Sequence, residues 1–138
     1  MTVTFFTEAG QRFGYGHLFR CLSLAQALAE EGGIPRFYVQ GDKAAADLIP
    51  PDWLEDVAPW WEACDRYRPR LEREEGWLVI DSYHAPGCWY TWAPRTVVFD
   101  DENRLTYGRG LVLNASLYAS RLDYPPECAA RAYLLGPS

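Results

Sequence analysis

Short apolar runs alternate with longer amphipathic stretches along most of the 138-residue chain. Runs of a few apolar residues are typical of strands that are buried on both faces of a sheet. Stretches in which apolar residues recur at every third or fourth position are typical of helices that pack on such a sheet. Because the two patterns alternate, we predict one α/β domain with a mainly parallel sheet.

These patterns define the predicted elements. Strands are predicted at residues 3–6, 36–40, 77–80, 96–99 and 111–113, with a further short strand at 53–57. Helices are predicted at residues 17–31, 43–48 and 60–73, and one helical turn at 88–92. Gly32 and Gly33 end the first helix and Pro59 opens the third, as glycine and proline commonly do. The strand at 111–113 is the last that the pattern predicts.

Polar residues follow four of the predicted strands. In chain order they are Gly14, Tyr15, Gly16 and His17, then Asp81 and Tyr83, then Asp100, and finally Asn114. Ligands of open parallel sheets bind beyond the carboxyl ends of the strands. We therefore predict that these residues, together with Arg20 on the first helix, form one binding site.

The turn from Gly14 to Gly16 is the most informative of these segments. A glycine-bearing turn between a strand and a helix lets the backbone approach an anion, and aims the first free N–H groups of the helix at it. The position of His17 at the start of the helix favours the neutral form of its imidazole. A neutral imidazole can act as a general base toward water. Arg20 shares its face of the helix and can neutralise a phosphate or orient the neighbours of the histidine.

Each of these features also has an interpretation without a ligand. Phe19 takes the place of the third glycine of a dinucleotide fingerprint, and no Gly-Lys-Ser/Thr follows as in a P-loop. The turn can therefore be a tight turn that binds no ligand, and the side chain of His17 can form a hydrogen bond within that turn. Arg20 can be a surface salt-bridge partner.

The later strand ends carry the same ambiguity. Asp81 can bind substrate or cap a turn, and Tyr83 can bond to a sugar or a water or pack at the rim. We interpret His84 as an incidental loop histidine. The three acids that begin at Asp100 can bind sugar hydroxyls, but we expect them to cap a loop, and we expect no metal and no cofactor.

Charge and cysteine content narrow the function classes. The formal net charge of −6 argues against nucleic acid or an anionic membrane as a partner. No apolar run in the sequence approaches the ~20 residues of a membrane span. The cysteines are widely spaced, which predicts reduced, mostly buried thiols in a cytoplasmic protein; they are Cys21, Cys64, Cys88 and Cys128.

The segment from Gly14 to Ala25 resembles the N-terminal signature of a family of nucleotide-sugar hydrolases. These are the UDP-2,4-diacetamido-2,4,6-trideoxy-β-L-altropyranose hydrolases of pseudaminic acid synthesis, with the spore coat polysaccharide biosynthesis proteins as relatives. Further blocks resemble the family in the same order; they are Val79-Ile80-Asp81-Ser82-Tyr83, Val98-Phe99-Asp100-Asp101, Leu111-Val112-Leu113-Asn114 and Leu134-Leu135-Gly136-Pro137.

The resemblance implies that residues 1–138 are a single Rossmann-like domain, the N-terminal half of a glycosyltransferase-B architecture. The C-terminal, nucleotide-binding half is then absent from this chain and supplied by a missing domain or a partner chain. The resemblance makes His17 the catalytic residue that positions or deprotonates a water, so that UDP and free sugar are released. It places Tyr83 near that water, and the glycine turn against the diphosphate or the sugar.

The sequence leaves other functions open. The hydrolases carry arginine and aspartate where this chain has Phe6 and Glu8, and its Thr-Glu-Ala-Gly segment is closer to the spore-coat branch. Glycosyl transfer to an acceptor and a non-catalytic binding or assembly module are therefore alternatives. Trp60 and Trp61 can mark a contact with another domain or a second copy, although we prefer a helix that meets its own sheet.

Overall fold

The computed structural model describes residues 1–105, 107, 110–116, 119–124 and 131–135. Its strands, all parallel, are β1 (Thr2–Ala9), β2 (Ile34–Gly41), β3 (Leu54–Val57), β4 (Trp77–Asp81), β5 (Thr96–Phe99), β6 (Gly110–Asn114) and β7 (Arg131–Leu135). The helices are α1 (Gly16–Glu30), α2 (Lys43–Asp47) and α3 (Cys64–Leu71). Short 3₁₀ turns lie at Trp60–Glu62, Gly87–Tyr90 and Ala119–Arg121.

The strands form one sheet in the order β3-β2-β1-β4-β5-β6-β7. The chain runs from β1 outward through β2 to β3, and then returns to the other side of β1 to continue with β4. The order therefore reverses between β1 and β4, and in such sheets the crevice that binds ligands lies at the carboxyl ends of the strands at this point. The predicted α/β, Rossmann-like fold with a parallel sheet is confirmed.

Neighbouring residues of β1 build the core on both faces of the sheet. Phe5 stacks on Phe37 of β2, with ring centroids 4.6 Å apart, on the face that α1 covers. Phe6 points to the opposite face, where its ring meets Tyr38 at 4.7 Å and Trp60 at 5.1 Å. Because successive side chains of a strand alternate between faces, β1 is buried on both sides and reads as an apolar run.

Helix α1 packs on the sheet through one apolar stripe. Leu18, Cys21 and Ala25 are fully buried and recur at spacings of three and four residues. Gly32 and Gly33 follow the helix, and their N–H groups donate to the carbonyls of Ala29 and Leu28. This helix was predicted one residue later at each end, at 17–31.

The predicted single helix at residues 60–73 is wrong. The segment divides into the 3₁₀ turn Trp60–Glu62 and helix α3, with Ala63 in a non-helical conformation between them (φ −103°, ψ 47°). The indole N–H of Trp60 donates to the carbonyl oxygen of Thr7 at 2.8 Å, deep in the core. This bond ties the turn to β1, so that Trp60 meets its own sheet as preferred.

Strand β7 was not predicted at all. It pairs in parallel with β6, and only Tyr133 of its described side chains is buried; Leu134 is 57% exposed. The block that resembles the nucleotide-sugar hydrolases continues from this strand to Gly136 and Pro137, which lie outside the described residues.

The cysteines differ in their surroundings. Cys21 is buried, Cys64 is half-buried and Cys88 is exposed, and all three are free thiols. The prediction of mostly buried cysteines is therefore wrong for Cys88, and Cys128 lies outside the described residues.

Within the described ranges, no helix combines the length and the apolar character that a membrane crossing requires.

Candidate functional site

The loop between β1 and α1 folds back on itself beside the crevice. Gly10 and Gly14 exchange backbone hydrogen bonds of 3.0 and 2.7 Å, and both have positive φ (133° and 74°). Only glycine adopts such values readily, which explains both residues. At Gly14 and Gly16 a Cβ atom would meet nothing within 4 Å, so the backbone of the turn faces open space.

Helix α1 starts at this turn without a side-chain cap. Tyr15 occupies the N-cap position and its side chain makes no capping hydrogen bond. The first N–H groups of a helix have no partner within the helix, and together with its dipole they attract anions. With Gly16 leaving the approach open, the backbone around Gly14, Tyr15 and Gly16 has room for an anionic group; anion binding there stays a prediction.

His17 lies between two carboxylates at the crevice. Its Nδ1 is 2.5 Å from Oδ1 of Asp81, and its Nε2 is 3.6 Å from Oε1 of Glu8. The side chain is buried, with 7% of the residue exposed, and the ring of Tyr83 contacts it edge to face at 4.5 Å. Because the carboxylate of Asp81 accepts the Nδ1 proton, the lone pair of the neutral ring lies on Nε2.

Arg20 fixes Asp81 in place. Its Nη2 donates to Oδ1 of Asp81 at 2.6 Å and its Nε to Oδ2, while Nη1 donates to Asp101 at 2.7 Å. The guanidinium also lies over the ring of Phe99, 4.7 Å from its centroid. Burial lowers the pKa of Arg20, but hydrogen bonds and charge from Asp81 and Asp101 outweigh it and raise the pKa above its usual value. Arg20 therefore orients the neighbour of the histidine, which was one of its two predicted roles.

Cys21 completes the surroundings of Asp81. Its Sγ lies 3.8 Å from Oδ2 of that carboxylate. Burial, followed by the negative charge of Asp81, raises the pKa of the Cys21 thiol well above its usual value. A thiol that stays protonated is a poor nucleophile, so Cys21 serves packing rather than chemistry.

Glu8 is a buried carboxylate at the end of β1, with 1% exposed. It accepts a hydrogen bond from the Ser82 hydroxyl at 2.8 Å and one from the Tyr83 amide at 2.9 Å. Nδ1 of His84 is 3.1 Å from its Oε2. These hydrogen bonds stabilise the negative charge of Glu8, which would be costly to bury without partners.

Tyr83 stands at the entrance to this cluster. Its hydroxyl donates to Oδ2 of Asp101 at 3.4 Å, and 42% of the residue is exposed. Burial of the ring, followed by the charges of Asp101 and Glu102, raises the pKa of the Tyr83 hydroxyl. The hydroxyl therefore stays protonated and can donate a hydrogen bond to a bound molecule.

Asp100 and Asn114, also predicted to bind substrate, bond instead within their own loops. Asp100 accepts the backbone N–H of Glu102 at 3.0 Å and that of Arg104 at 3.1 Å. The Asn114 side chain donates to the Tyr124 hydroxyl, and that hydroxyl donates to the carbonyl of Asp100. Both side chains shape the loops that follow β5 and β6, which is the loop-capping interpretation for Asp100.

Glu8 was missed as a site residue, while Ser82 and Asp101 lay in the segments predicted at the strand ends. All three bond to residues far away along the chain, so no local pattern links them to His17. One signal was present for Glu8, because a charged residue that directly continues a buried apolar strand needs buried partners. In the part of the chain that the structure describes, no group of three or more histidine, cysteine or acidic side chains is arranged to hold a metal ion.

Comparisons with protein-family models, with curated proteins and with solved structures give no significant match for this chain.

Proposed function

We propose that this chain is the N-terminal domain of a UDP-sugar hydrolase of nonulosonate or surface-polysaccharide biosynthesis, with His17 as the general base. The main support is the hydrogen-bonded pair of His17 and Asp81. His17 lies at the start of α1, and Asp81 lies at the carboxyl end of β4, in the crevice of the parallel sheet. Such a crevice binds small molecules in open α/β sheets. A histidine whose ring is oriented by a carboxylate is suited to accept a proton there.

The proposed reaction uses the free nitrogen of His17. Asp81 holds Nδ1–H, and Nε2 accepts a proton from a water as the water oxygen bonds to the anomeric carbon of the sugar. The bond between that carbon and the phosphate oxygen breaks, and its electron pair leaves with UDP. The imidazolium that forms lies between the carboxylates of Asp81 and Glu8, which stabilise its charge.

The backbone and Tyr83 provide the remaining contacts of this proposal. The uncapped start of α1 at Gly16 offers N–H groups to the diphosphate, whereas Arg20 is held by Asp81 and Asp101 and orients the site. The exposed hydroxyl of Tyr83 donates to the sugar or to the attacking water. A second domain or a partner chain, facing this edge of the sheet, would hold the nucleotide.

The first experiment measures UDP release from UDP-linked diacetamido sugars and from UDP-N-acetylglucosamine. The assay uses the full-length protein that carries this domain. We expect His17→Gln to lower kcat by about 100-fold or more, the usual share of a general base. Gln26→Ala, a change on the exposed side of α1, is the matched control and should leave the rate unchanged.

Two outcomes would change this proposal. A His17→Gln variant as active as the Gln26→Ala control would remove the histidine from the mechanism. Release of UDP only after an acceptor sugar is added would replace hydrolysis with glycosyl transfer.

A further inference from the structure

Glu8 lies between the two histidines of the chain. One oxygen is 3.6 Å from Nε2 of His17, and the other is 3.1 Å from Nδ1 of His84. His17 and Glu8 are buried, whereas 43% of the His84 side chain is exposed. A buried base thus reaches an exposed titratable group through one shared carboxylate.

Other groups pack against each member of this cluster. Glu8 also accepts bonds from the Ser82 hydroxyl and the Tyr83 amide, which carry no charge. His17 faces the charged groups of Asp81 and Arg20, which bond to each other, and the ring of Tyr83.

His84 packs against aromatic rings on its other side. It stacks on Trp61 at 5.2 Å with an interplanar angle of 17°, and it meets Phe13 edge to face at 5.3 Å. Two cations border this part of the cluster. The guanidinium of Arg12 lies over the Phe13 ring, 5.1 Å from its centroid, and Nη2 of Arg104 donates to the carbonyls of Ser82 and Ala85. Among the described residues, Glu8 is the carboxylate within hydrogen-bond distance of the His84 ring, so it can transmit a change in the charge of that ring.

We infer that Glu8 is a second positioning carboxylate for His17, and that His84 controls it from the surface. A neutral His84 leaves the charge of Glu8 free to stabilise a proton on Nε2 of His17. A protonated His84 neutralises that charge and makes His17 a weaker base. A change in the charge of His84 therefore reaches His17 through Glu8, which has consequences for catalysis only if the proposed function holds.

The test is a pH titration of the two histidine rings by nitrogen-15 NMR, which needs no substrate. The chain holds only these two histidines, so their ring signals are assigned by deleting one of them. We expect the His17 signal of the native protein to titrate in two steps, one of which coincides with the titration of His84. In His84→Gln the coincident step should disappear.

Glu8→Gln removes the shared charge and keeps the shape of the side chain. We expect the His17 titration in this variant to move to lower pH and to lose its second step, because an opposite charge nearby favours the protonated ring. Glu31→Gln, at the exposed far end of α1, is the matched control and should leave both titrations unchanged. A His17 titration that is the same in Glu8→Gln as in the control would overturn the inference.

If Glu8→Gln does not fold, His84→Gln decides the question, because 43% of the His84 side chain is exposed and its replacement leaves the buried carboxylate in place. An unchanged His17 titration in that variant rejects the coupling. Failure of the proposed function has a separate signature: the rings titrate as a pair while the full-length protein releases no UDP. If UDP is released, His84→Gln should shift the pH profile of kcat, which a merely structural role would not do.

Discussion

At the scale of single residues, Asp81 links the base of the candidate site to Arg20. One of its oxygens faces the His17 ring, both accept from Arg20, and the thiol of Cys21 lies beside it. The carboxylate itself is fully buried. Its hydrogen bonds orient the base, so its role in the proposed reaction is positioning rather than direct contact with substrate.

Removing this charge should destabilise the fold. In Asp81→Asn, Arg20 loses the buried negative charge of its partner and one of the two acceptor oxygens, and breaking such a pair typically costs about 3 kcal/mol. We expect a loss of that order in the free energy of unfolding, measured by urea denaturation at neutral pH. Asp101→Asn is the control, because that side chain is 24% exposed and makes a single bond to Arg20. Equal losses in the free energy of unfolding of the two variants would show that burial of Asp81 adds nothing to the stability of the fold.

The sequence could not assign this role to Asp81. Its position after an apolar run predicted correctly that it would lie at the crevice. Its partner His17 is 64 residues away, and Arg20 is 61 residues away. Only the pairing of β1 with β4 brings them together, so local spacing could not distinguish a substrate ligand from a positioning carboxylate.

At the scale of elements, the turn between β1 and α1 combines two different requirements for glycine. Gly14 has a positive φ of 74°, which an L-residue adopts only with strain. Gly16 is the first residue of α1, and its open side faces the start of the helix. The turn therefore needs Gly14 for its fold and Gly16 for access.

Two alanine variants separate these requirements. Gly14→Ala should lower the free energy of unfolding by about 1 kcal/mol, from the left-handed backbone. Gly16→Ala should leave the free energy of unfolding unchanged or higher, since alanine is the better helix residue. Its added methyl group should nevertheless weaken UDP-sugar binding if the start of α1 is the diphosphate site. Urea denaturation and calorimetric titration of the full-length protein measure the two effects.

The reverse pattern would contradict this division of roles. If Gly16→Ala unfolds the domain more easily than Gly14→Ala does, the open space at Gly16 has another purpose than access. If neither variant changes binding, the diphosphate lies elsewhere in the crevice.

The divided third helix shows where element prediction fails. Pro59 favoured one helix at 60–73, and no glycine or proline lies between Trp60 and Cys64 to interrupt its start. In the structure, the non-helical Ala63 interrupts the helix. The hydrogen bond from the Trp60 indole to the carbonyl of Thr7 holds the preceding turn against the sheet. Both depend on contact with β1, a tertiary effect that overrides local preference.

At the scale of the whole molecule, the parallel sheet was predictable because its central strands are buried on both faces. Strands β1 and β4 consist almost entirely of buried residues, which gives mostly apolar runs in the sequence. Strand β7 lies at one edge of the described sheet, where Leu134 and Leu135 are exposed; its residues 132–135 are also apolar, but the run was not predicted as a strand. The site belongs to the central strands, which explains why its location was predictable from strand ends.

The same difference predicts unequal stability across the sheet. Amides of the central β1 residues Phe5 and Phe6 should exchange with solvent only on global unfolding. Within the described residues, β7 pairs with β6 alone and has exposed leucines, so its amides should exchange through local opening, roughly tenfold faster or more. Native-state hydrogen exchange by NMR measures both. Equal protection of Phe5 and Leu134 would mean that the sheet opens as one unit. Faster exchange at Leu134 alone would mean that β1, α1 and β4 hold His17, Glu8 and Asp81 together while the distant edge opens.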